Sequence, residues 1–246
     1  MTGWGQRIVF LHAHPDDETL ATGVLLAELA AAGRQVSVVT ATRGEMGAVM
    51  PGPLAALEGT PELVAHRLGE LAGALEELGV TEQVFLGTPP ARAAGAEPRR
   101  YTDSGMQWLD EAETVAGPGG RAGADSLTSA PVAEAAADLA AYLDHVAADA
   151  LVSYDGYGGY GHPDHVACHH IARAASALAG VPLLEVVSEP LLPVDGAQEV
   201  ALPQWLPAVQ RALGHHASQL TVEGAEVVHV GGQSQPIVTT VWLSAP

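Results

Sequence analysis

The sequence contains no lysine and a single cysteine, and both shortages narrow the classes of protein it can represent. Its ten basic residues are all arginines and stand against 29 acidic residues, so the formal net charge is −19. Such an acidic chain repels nucleic acid phosphates and anionic membranes, which argues against both as main partners. The lone Cys168 excludes an internal disulfide bond and a cluster of thiolate metal ligands. We expect Cys168 to be a small buried side chain of a helix.

Long apolar runs are missing as well. No stretch reaches the roughly 18 apolar residues that a membrane-spanning helix needs. Residues 1–13 also lack the basic start, apolar stretch and cleavage site of a secretory signal. The chain of 246 residues is long enough for one large domain with a substantial core and too short for two full domains. Its 48% hydrophobic residues suit an ordinary globular protein. We therefore expect a cytoplasmic protein in which residues 1–246 form a single domain, either alone or as a homo-oligomer.

Apolar segments of two different periods alternate along the chain. Strand-like runs cover residues 7–12, 35–41, 83–86, 150–154 and 183–187, and helix-like patterns cover residues 19–32, 62–78, 132–147 and 164–178. This alternation predicts an α/β fold, in which helices sandwich a mostly parallel, Rossmann-like sheet. Residues 204–220 are predicted as a further helix. Residues 226–230 and 237–243 are predicted as a small C-terminal antiparallel pair around Gly231-Gly232.

Two long connections, residues 42–61 and 87–130, follow predicted strands. Connections of that length inside a compact domain are usually functional or mobile. Both leave the carboxyl ends of their strands, which is where α/β sheets bind ligands. We therefore expect both connections to lie near a binding site, although the pattern of residues 87–130 predicts no particular structure.

Two short segments concentrate the residue types that bind metal ions. Residues 14–18 read His-Pro-Asp-Asp-Glu, residues 162–165 read His-Pro-Asp-His, and each segment follows a predicted strand and opens a predicted helix. A catalytic zinc ion takes three protein ligands and keeps one position for water. His14, Asp17 and His165 would supply that set, because two strand ends of one parallel sheet can face the same crevice.

Asp16 and His162 then remain beside the metal without binding it. A free carboxylate in that position can take the proton of a water molecule that attacks an amide carbonyl. A histidine can stabilise the oxyanion or protonate the leaving amine. Each segment alone also fits ordinary helix N-terminus chemistry, with proline and acidic residues in the first turn. Two such segments at equivalent strand ends favour the metal site, and acidic residues in place of Gly-x-Gly-x-x-Gly disfavour a dinucleotide site.

With these motifs the chain resembles the PIG-L/LmbE-like zinc de-N-acetylases. The residues that carry the resemblance are 13–18 and 162–165 for the two metal motifs, 215–219 for a late His-x-Ser-Gln segment, and 66–71, 103–106 and 154–162 for the actinobacterial mycothiol branch. That branch includes N-acetylglucosaminyl-inositol deacetylase and mycothiol S-conjugate amidase. The resemblance implies an LmbE-type fold and a hydrolase that removes an acetyl group from a small N-acetylglucosaminyl substrate.

The resemblance also implies a cofactor and a set of site residues. The metal would be one zinc ion per chain, with Fe²⁺ as the alternative. The implied residues are His14, Asp17 and His165 as ligands, Asp16 as base, His162 as electrostatic partner, Arg67 and Asp103 as sugar contacts, and a mobile Tyr160 near the carbonyl oxygen. Arg67 and Asp103 could instead be an ion pair or loop anchors, and Tyr160 could serve packing. The remaining histidines, His216 among them, are expected to be structural or exposed.

The second loop departs from the mycothiol branch, because Met46 and Ala48 stand where acidic residues are expected. An alternative function is therefore an amidase that acts on another amide, such as a mycothiol S-conjugate or an antibiotic intermediate. A third alternative is a non-catalytic metal or sugar binder. The presence of both a base and an oxyanion donor argues against that alternative.

Overall fold

A computed structural model of the protein describes residues 4–110, 116–188 and 193–245. The strands are β1 (Arg7–His12), β2 (Gln35–Thr40), β3 (Glu82–Phe85), β4 (Gln107–Trp108), β5 (Ala116–Gly117), β6 (Ala150–Tyr154), β7 (Leu183–Val186), β8 (Gln198–Ala201), β9 (Leu220–Glu223), β10 (Glu226–His229), β11 (Ser234–Pro236) and β12 (Thr240–Ser244). The helices are α1 (Asp17–Ala31), α2 (Pro61–Glu77), α3 (Val132–Val146), the short α4 (Gly158–Gly161), α5 (Pro163–Ala179) and α6 (Leu206–His215).

Seven strands form one sheet in the order β3-β2-β1-β6-β7-β12-β8. The first five of these run parallel, and β12 is antiparallel to both of its neighbours. The predicted α/β fold with a mostly parallel sheet is therefore confirmed. The chain leaves β1 toward β2 on one side, while β6 lies on its other side, so the strand order reverses between β1 and β6. This reversal opens a crevice at the carboxyl ends of the two strands.

Helices cover both faces of the sheet, and successive apolar side chains of β1 point to opposite faces. Ile8 and Phe10 join a core that packs against α1, α2 and α6. Val9 and Leu11 join a second core that packs against α3 and α5. Cys168 of α5 is fully buried in the second core, as predicted. Among the described residues, no helix has the length and apolar character needed to cross a membrane.

The C-terminal prediction is correct in kind and wrong in detail. The predicted helix at residues 204–220 ends at His215, residues 216–219 form a turn, and β9 begins at Leu220. The predicted partner strands do not pair with each other: β10 pairs with β9 and β11 in a small antiparallel sheet, whereas β12 joins the main sheet. The alternating pattern of residues 237–243 fits either sheet, so the pattern alone does not select the partner strand.

The long connection at residues 87–130 is fastened to α3 by a buried carboxylate. Asp138 accepts hydrogen bonds from the Tyr101 hydroxyl at 2.7 Å, from Arg92 Nη1 at 2.8 Å and from the Ala93 backbone at 2.9 Å. Neither Asp138 nor Tyr101 is exposed to solvent. These contacts give the connection a defined path toward the crevice and bring Asp103 beside His14.

Candidate metal and catalytic site

The two histidine-containing segments meet at the crevice between β1 and β6. Residues 14–18 follow β1 and begin α1, and residues 162–165 begin α5 after the loop that follows β6. The ring centroids lie 4.7 Å apart for His14 and His162, 5.0 Å for His162 and His165, and 5.4 Å for His14 and His165. All three rings are buried. The strand ends thus bring together the side chains that the sequence pattern selected.

Asp17 lies between two of these histidines. Its Oδ2 atom is 3.2 Å from His14 Nδ1 and 3.1 Å from His165 Nε2. The same oxygen accepts hydrogen bonds of 2.9 Å from the His14 backbone and from the Tyr154 hydroxyl. Burial alone would raise the pKa of Asp17, but the neighbouring His165 and His14 hold it well below its usual value. Asp17 is therefore ionised and is available as a metal ligand.

The hydrogen bonds of His165 fit a cation at this position. His165 Nδ1 lies 3.1 Å from the Gly158 carbonyl, to which it can only donate. In the neutral ring, Nε2 then presents a lone pair toward the Asp17 carboxylate. This buried nitrogen forms no hydrogen bond within the described part of the chain. A lone pair that faces a carboxylate at 3.1 Å is satisfied by a cation between the two atoms.

The other nitrogen of His14 faces two more carboxylates. His14 Nε2 lies 3.2 Å from Asp164 Oδ2 and 3.6 Å from Asp103 Oδ1. Burial favours a low pKa for His14, but Asp103, Asp164 and Asp17 outweigh it and raise the pKa well above the ordinary value. Metal-binding histidines commonly donate their second N–H to a carboxylate. His14 has this arrangement if Nδ1 faces the metal.

Several combinations of these side chains could hold a metal ion. Two buried groups of three have ligand atoms within 4.8 Å of one another: His14 with His162 and His165, and His14 with Asp103 and Asp164. The predicted set replaces His162 by Asp17, whose Oδ2 atom lies 3.2 Å from His14 Nδ1 and 3.1 Å from His165 Nε2. The structure therefore supports a metal site around His14 and leaves the choice of ligands to chemical argument.

Asp16 adopts an unusual backbone conformation beside these side chains. Its φ angle is +122°, which is rare for a residue other than glycine. Its carboxylate does not cap α1, and its Oδ2 atom accepts a hydrogen bond of 3.1 Å from Arg67 Nη2. Burial raises the pKa of Asp16 to about 6, with Arg67 opposing and Asp17 adding to the shift. A carboxylate with a pKa nearer neutrality is a stronger base than an ordinary aspartate.

The hydrogen bonds of His162 make it a donor toward the site. Its Nδ1 atom accepts the Asp164 backbone N–H at 3.2 Å, so the neutral ring carries its proton on Nε2. Burial lowers the pKa of His162 to about 2, and the nearby His14 and His165 add to the effect. A neutral ring with Nε2–H can stabilise a developing oxyanion. The expected role of His162 in the reaction stays a prediction.

Tyr160 lies at the mouth of the crevice. Its ring centroid is 5.2 Å from that of His165 and 5.8 Å from that of His162, and 55% of the residue is exposed. Such a position is open to a ligand and is not used for core packing. The expected contact between Tyr160 and a substrate carbonyl stays a prediction.

Arg67 and Asp103 are deeply buried, with 3% and 4% exposure. Arg67 donates to the carbonyls of Gly44 and Pro15 as well as to Asp16. Asp103 accepts hydrogen bonds from the backbone of Met46 and Gly105. Both side chains therefore have protein partners at the crevice, and their sugar contacts stay predictions.

Three residues at or next to the site had no predicted role. Tyr154 ends β6 and contacts Asp17, and Asp164 stands inside the second motif and contacts His14. Glu18 forms a buried ion pair of 3.3 Å with His216. Strand-end and motif positions could have drawn attention to Tyr154 and Asp164. No local signal connects Glu18 with His216, because the partners come from opposite ends of the chain.

Comparison with known proteins places the chain in a family. The profile of the family described as GlcNAc-PI de-N-acetylase (PIG-L) matches residues 9–176. A relative from Actinosynnema mirum is 35% identical over 94% of this chain and 89% of its own length. It is named 1D-myo-inositol 2-acetamido-2-deoxy-alpha-D-glucopyranoside deacetylase. The chain belongs to the PIG-L family, as its motifs indicated.

Other similar proteins are longer or more distant. A relative of the same name from Nocardioides sp. is 42% identical over 72% of this chain, but the match covers 56% of that relative. The chain thus spans about half the length of several curated relatives that it matches. A deacetylase from the teicoplanin biosynthesis pathway has the same fold, with a TM-score of 0.64 over 98% of both chains and 22% identity.

Proposed function

We propose that the protein is a zinc-dependent amide hydrolase that removes the acetyl group from an N-acetylglucosaminyl compound. The observation that carries this proposal is the Asp16 carboxylate, which adjoins the candidate ligand Asp17 and accepts a hydrogen bond from Arg67. A protein that only stores or senses a metal needs no such base. The names of the curated relatives support an N-acetylglucosaminyl-inositol as the substrate.

The zinc ion would be held by His14 Nδ1, Asp17 Oδ2 and His165 Nε2. This choice leaves His14 Nε2 to donate to Asp164 and His165 Nδ1 to donate to Gly158, so both rings are oriented from behind. One zinc ion per chain is expected, with Fe²⁺ as the alternative. When bound, the metal would polarise the amide carbonyl and lower the pKa of a water molecule.

Asp16 would act as the general base in this reaction. Its carboxylate accepts the proton that the attacking water loses as the new carbon–oxygen bond forms. It can then pass that proton to the departing nitrogen as the carbon–nitrogen bond breaks, so acetate and a free amine result. Arg67 restricts the Asp16 carboxylate through the 3.1 Å hydrogen bond, and such positioning lowers the entropic part of the barrier.

His162 would stabilise the negative charge that develops on the carbonyl oxygen. The hydrogen bond at Nδ1 fixes the proton of the neutral ring on Nε2. This donor is therefore oriented before the reaction, and the ring does not have to reorient as the charge develops. Tyr160, whose ring lies 5.8 Å from that of His162, stands where its hydroxyl can approach the same oxygen. Loss of one such donor typically lowers kcat by about 10²–10³-fold.

A second candidate function is hydrolysis of an amide with a larger apolar group. The observation that favours it is Met46, which is half-buried at the same edge of the sheet. A side chain at Gly105 would begin 3.6 Å from Met46 Cβ, so the methionine packs against the backbone beside Asp103. An apolar wall is a poor partner for the hydroxyls of a cyclitol and suits an apolar substituent. Mycothiol S-conjugates and antibiotic intermediates contain such groups.

The testing experiment measures amine release from N-acetylglucosaminyl-inositol by zinc-loaded protein. We expect turnover by the wild type and a loss of at least about 10²-fold in Asp16→Ala with zinc still bound. Asp144→Ala, on the exposed side of α3, is the matched control and should retain full activity. Full activity of Asp16→Ala would refute the mechanism. Turnover of apolar amides without turnover of the inositol compound would favour the second candidate.

A further inference from the structure

The backbone of Asp16 is strained and must be held in place. It combines φ +122° with ψ −33° at the N-cap position directly before α1, where a side chain commonly caps the helix. Here the side chain forms no such cap, and its carboxylate meets Arg67 instead. Non-glycine residues keep such a conformation only when surrounding contacts hold it. Residues strained in this way cluster at functional sites.

Glu18 binds the backbone of the strained residue itself. Its Oε2 atom accepts the Asp16 backbone N–H at 3.0 Å. The Asp16 carbonyl accepts the N–H groups of Thr19 and Leu20 at 3.0 and 2.9 Å. The peptide groups on both sides of the strained residue are therefore fixed. The Glu18 carboxylate is the only side chain among the described residues that accepts the Asp16 N–H.

Glu18 is itself completely buried and is held by a histidine from the far end of the chain. Its Oε1 atom lies 3.3 Å from His216 Nε2 and accepts the Thr19 hydroxyl at 2.6 Å. His216 has an exposure of 1%. His216 is thus the side chain that pairs with the Glu18 carboxylate and holds it next to the Asp16 N–H. Neither residue has a task in the mechanism described above.

The segment that contains His216 has a separate anchor. Glu70 of α2 accepts the Ser218 backbone N–H at 2.7 Å and the Ser218 hydroxyl at 2.6 Å. The Met50 backbone N–H donates to the Ser218 carbonyl at 2.8 Å. The segment is therefore fixed in two ways, and the hydrogen-bonded route to the Asp16 backbone runs through Glu18.

We propose that Glu18 and His216 are positioning residues for the base. The pair holds the Asp16 peptide in its strained conformation, and this keeps the carboxylate aimed at the attacking water instead of folding back onto α1. The inference rests on the proposed function for its catalytic meaning, and its structural content is independent of the substrate. It gives the late His-x-Ser-Gln segment a direct part in the active site.

The test compares Glu18→Ala, Glu18→Gln and His216→Ala with the control Glu70→Ala, all with zinc bound. We expect Glu18→Ala to lower kcat about 10²-fold, the loss that a misplaced catalytic group typically causes. KM and the zinc affinity should stay within about threefold. Glu18→Gln should largely retain kcat, because its amide oxygen still accepts the Asp16 N–H. Glu70→Ala should lose stability without this specific loss of kcat.

A double-mutant cycle separates positioning from simple packing. His216→Ala leaves the charge of Glu18 unpaired and should lower kcat about tenfold. The same change in the Glu18→Gln background should have little effect, because no buried charge is left to pair. Equal losses in both backgrounds would overturn the inference. So would a fall in zinc affinity parallel to that in kcat, or an equal loss of kcat in Glu70→Ala.

A crystal structure of zinc-loaded Glu18→Ala provides the readout that does not depend on turnover. We expect Asp16 to leave the positive φ region and its carboxylate to move by at least about 1 Å, since the strain is no longer held. Retention of the wild-type conformation would refute the positioning role. If the wild type hydrolyses no amide, the proposed function fails, and this structural comparison still decides whether Glu18 and His216 hold Asp16.

Discussion

The Tyr154 hydroxyl donates a hydrogen bond of 2.9 Å to Asp17 Oδ2, and the Tyr154 ring stacks on His165 with centroids 4.4 Å apart. One side chain thus orients two proposed zinc ligands from behind. Outer contacts of this kind typically contribute 10–100-fold to metal affinity. We predict that Tyr154→Phe, which keeps the stacking and loses the hydrogen bond, lowers zinc affinity about tenfold in a chelator competition assay.

Tyr101→Phe is the matched control for Tyr154→Phe. Tyr101 is also fully buried and also donates to an aspartate, Asp138, but on the other side of the second core. This variant should lose about 1 kcal/mol of stability, as expected for one buried hydrogen bond, and keep its zinc affinity. Equal zinc affinity in the two variants would contradict the assigned role of Tyr154.

Local sequence pattern predicts that the candidate metal ligands converge. The periods of residues 7–12 and 19–32 already identify a strand and a helix, and the acidic and histidine residues stand at their junction. Since parallel strand ends share one edge, the sequence also predicts that His14 and His165 converge. The structure brings both beside Asp17, as expected.

Long-range pairing explains what the sequence could not predict. Residues 237–243 alternate as a strand should, but alternation does not select a partner, and β12 joined β7 and β8 instead of β10. The ion pair of Glu18 with His216 depends in the same way on how α6 packs against α1. Arg67 lay inside a recognised stretch, yet only the structure shows its hydrogen bond to Asp16.

The position of Arg67 depends on a glycine. Gly44 has a φ angle of +66°, and a Cβ atom there would overlap the Arg67 guanidinium. We predict that Gly44→Ala displaces Arg67 from Asp16 and lowers kcat about 10²-fold, the typical effect of a misplaced catalytic group. The measurement is amide turnover together with thermal unfolding.

Gly33→Ala separates this effect from backbone strain. Gly33 has a similar φ angle of +73°, but no atom lies within 4 Å of a Cβ at that position. Both variants should lose about 1–2 kcal/mol of stability from the left-handed conformation, and only Gly44→Ala should lose kcat. A comparable loss of kcat in Gly33→Ala would show that Arg67 is not the cause.

Asp138 should control the order of the long connection at residues 87–130. Asp138→Ala removes the acceptor of the part-buried Arg92 guanidinium and of the fully buried Tyr101 hydroxyl. Leaving a buried polar group without its partner typically costs about 1–3 kcal/mol. We predict a loss in that range in urea denaturation and faster amide hydrogen exchange in residues 99–104. Unchanged exchange there would mean that the connection is held by other contacts.

The stability of the metal-free protein should depend on Asp149 at acidic pH. The side chain of Arg7 and the backbone N–H groups of Arg7 and Gln6 lower the pKa of Asp149 from 3.8 to about 2. A depressed pKa in the folded state contributes stability at pH values above the pKa of the unfolded state, and this contribution disappears as the pH falls through the pKa of the folded state.

Asp149→Asn lacks the contribution at every pH. The difference in unfolding free energy between wild type and variant should therefore be constant above about pH 5 and shrink between about pH 4 and pH 2. Urea denaturation across this range measures it, and a difference that stays constant down to pH 2 would contradict the assigned contacts.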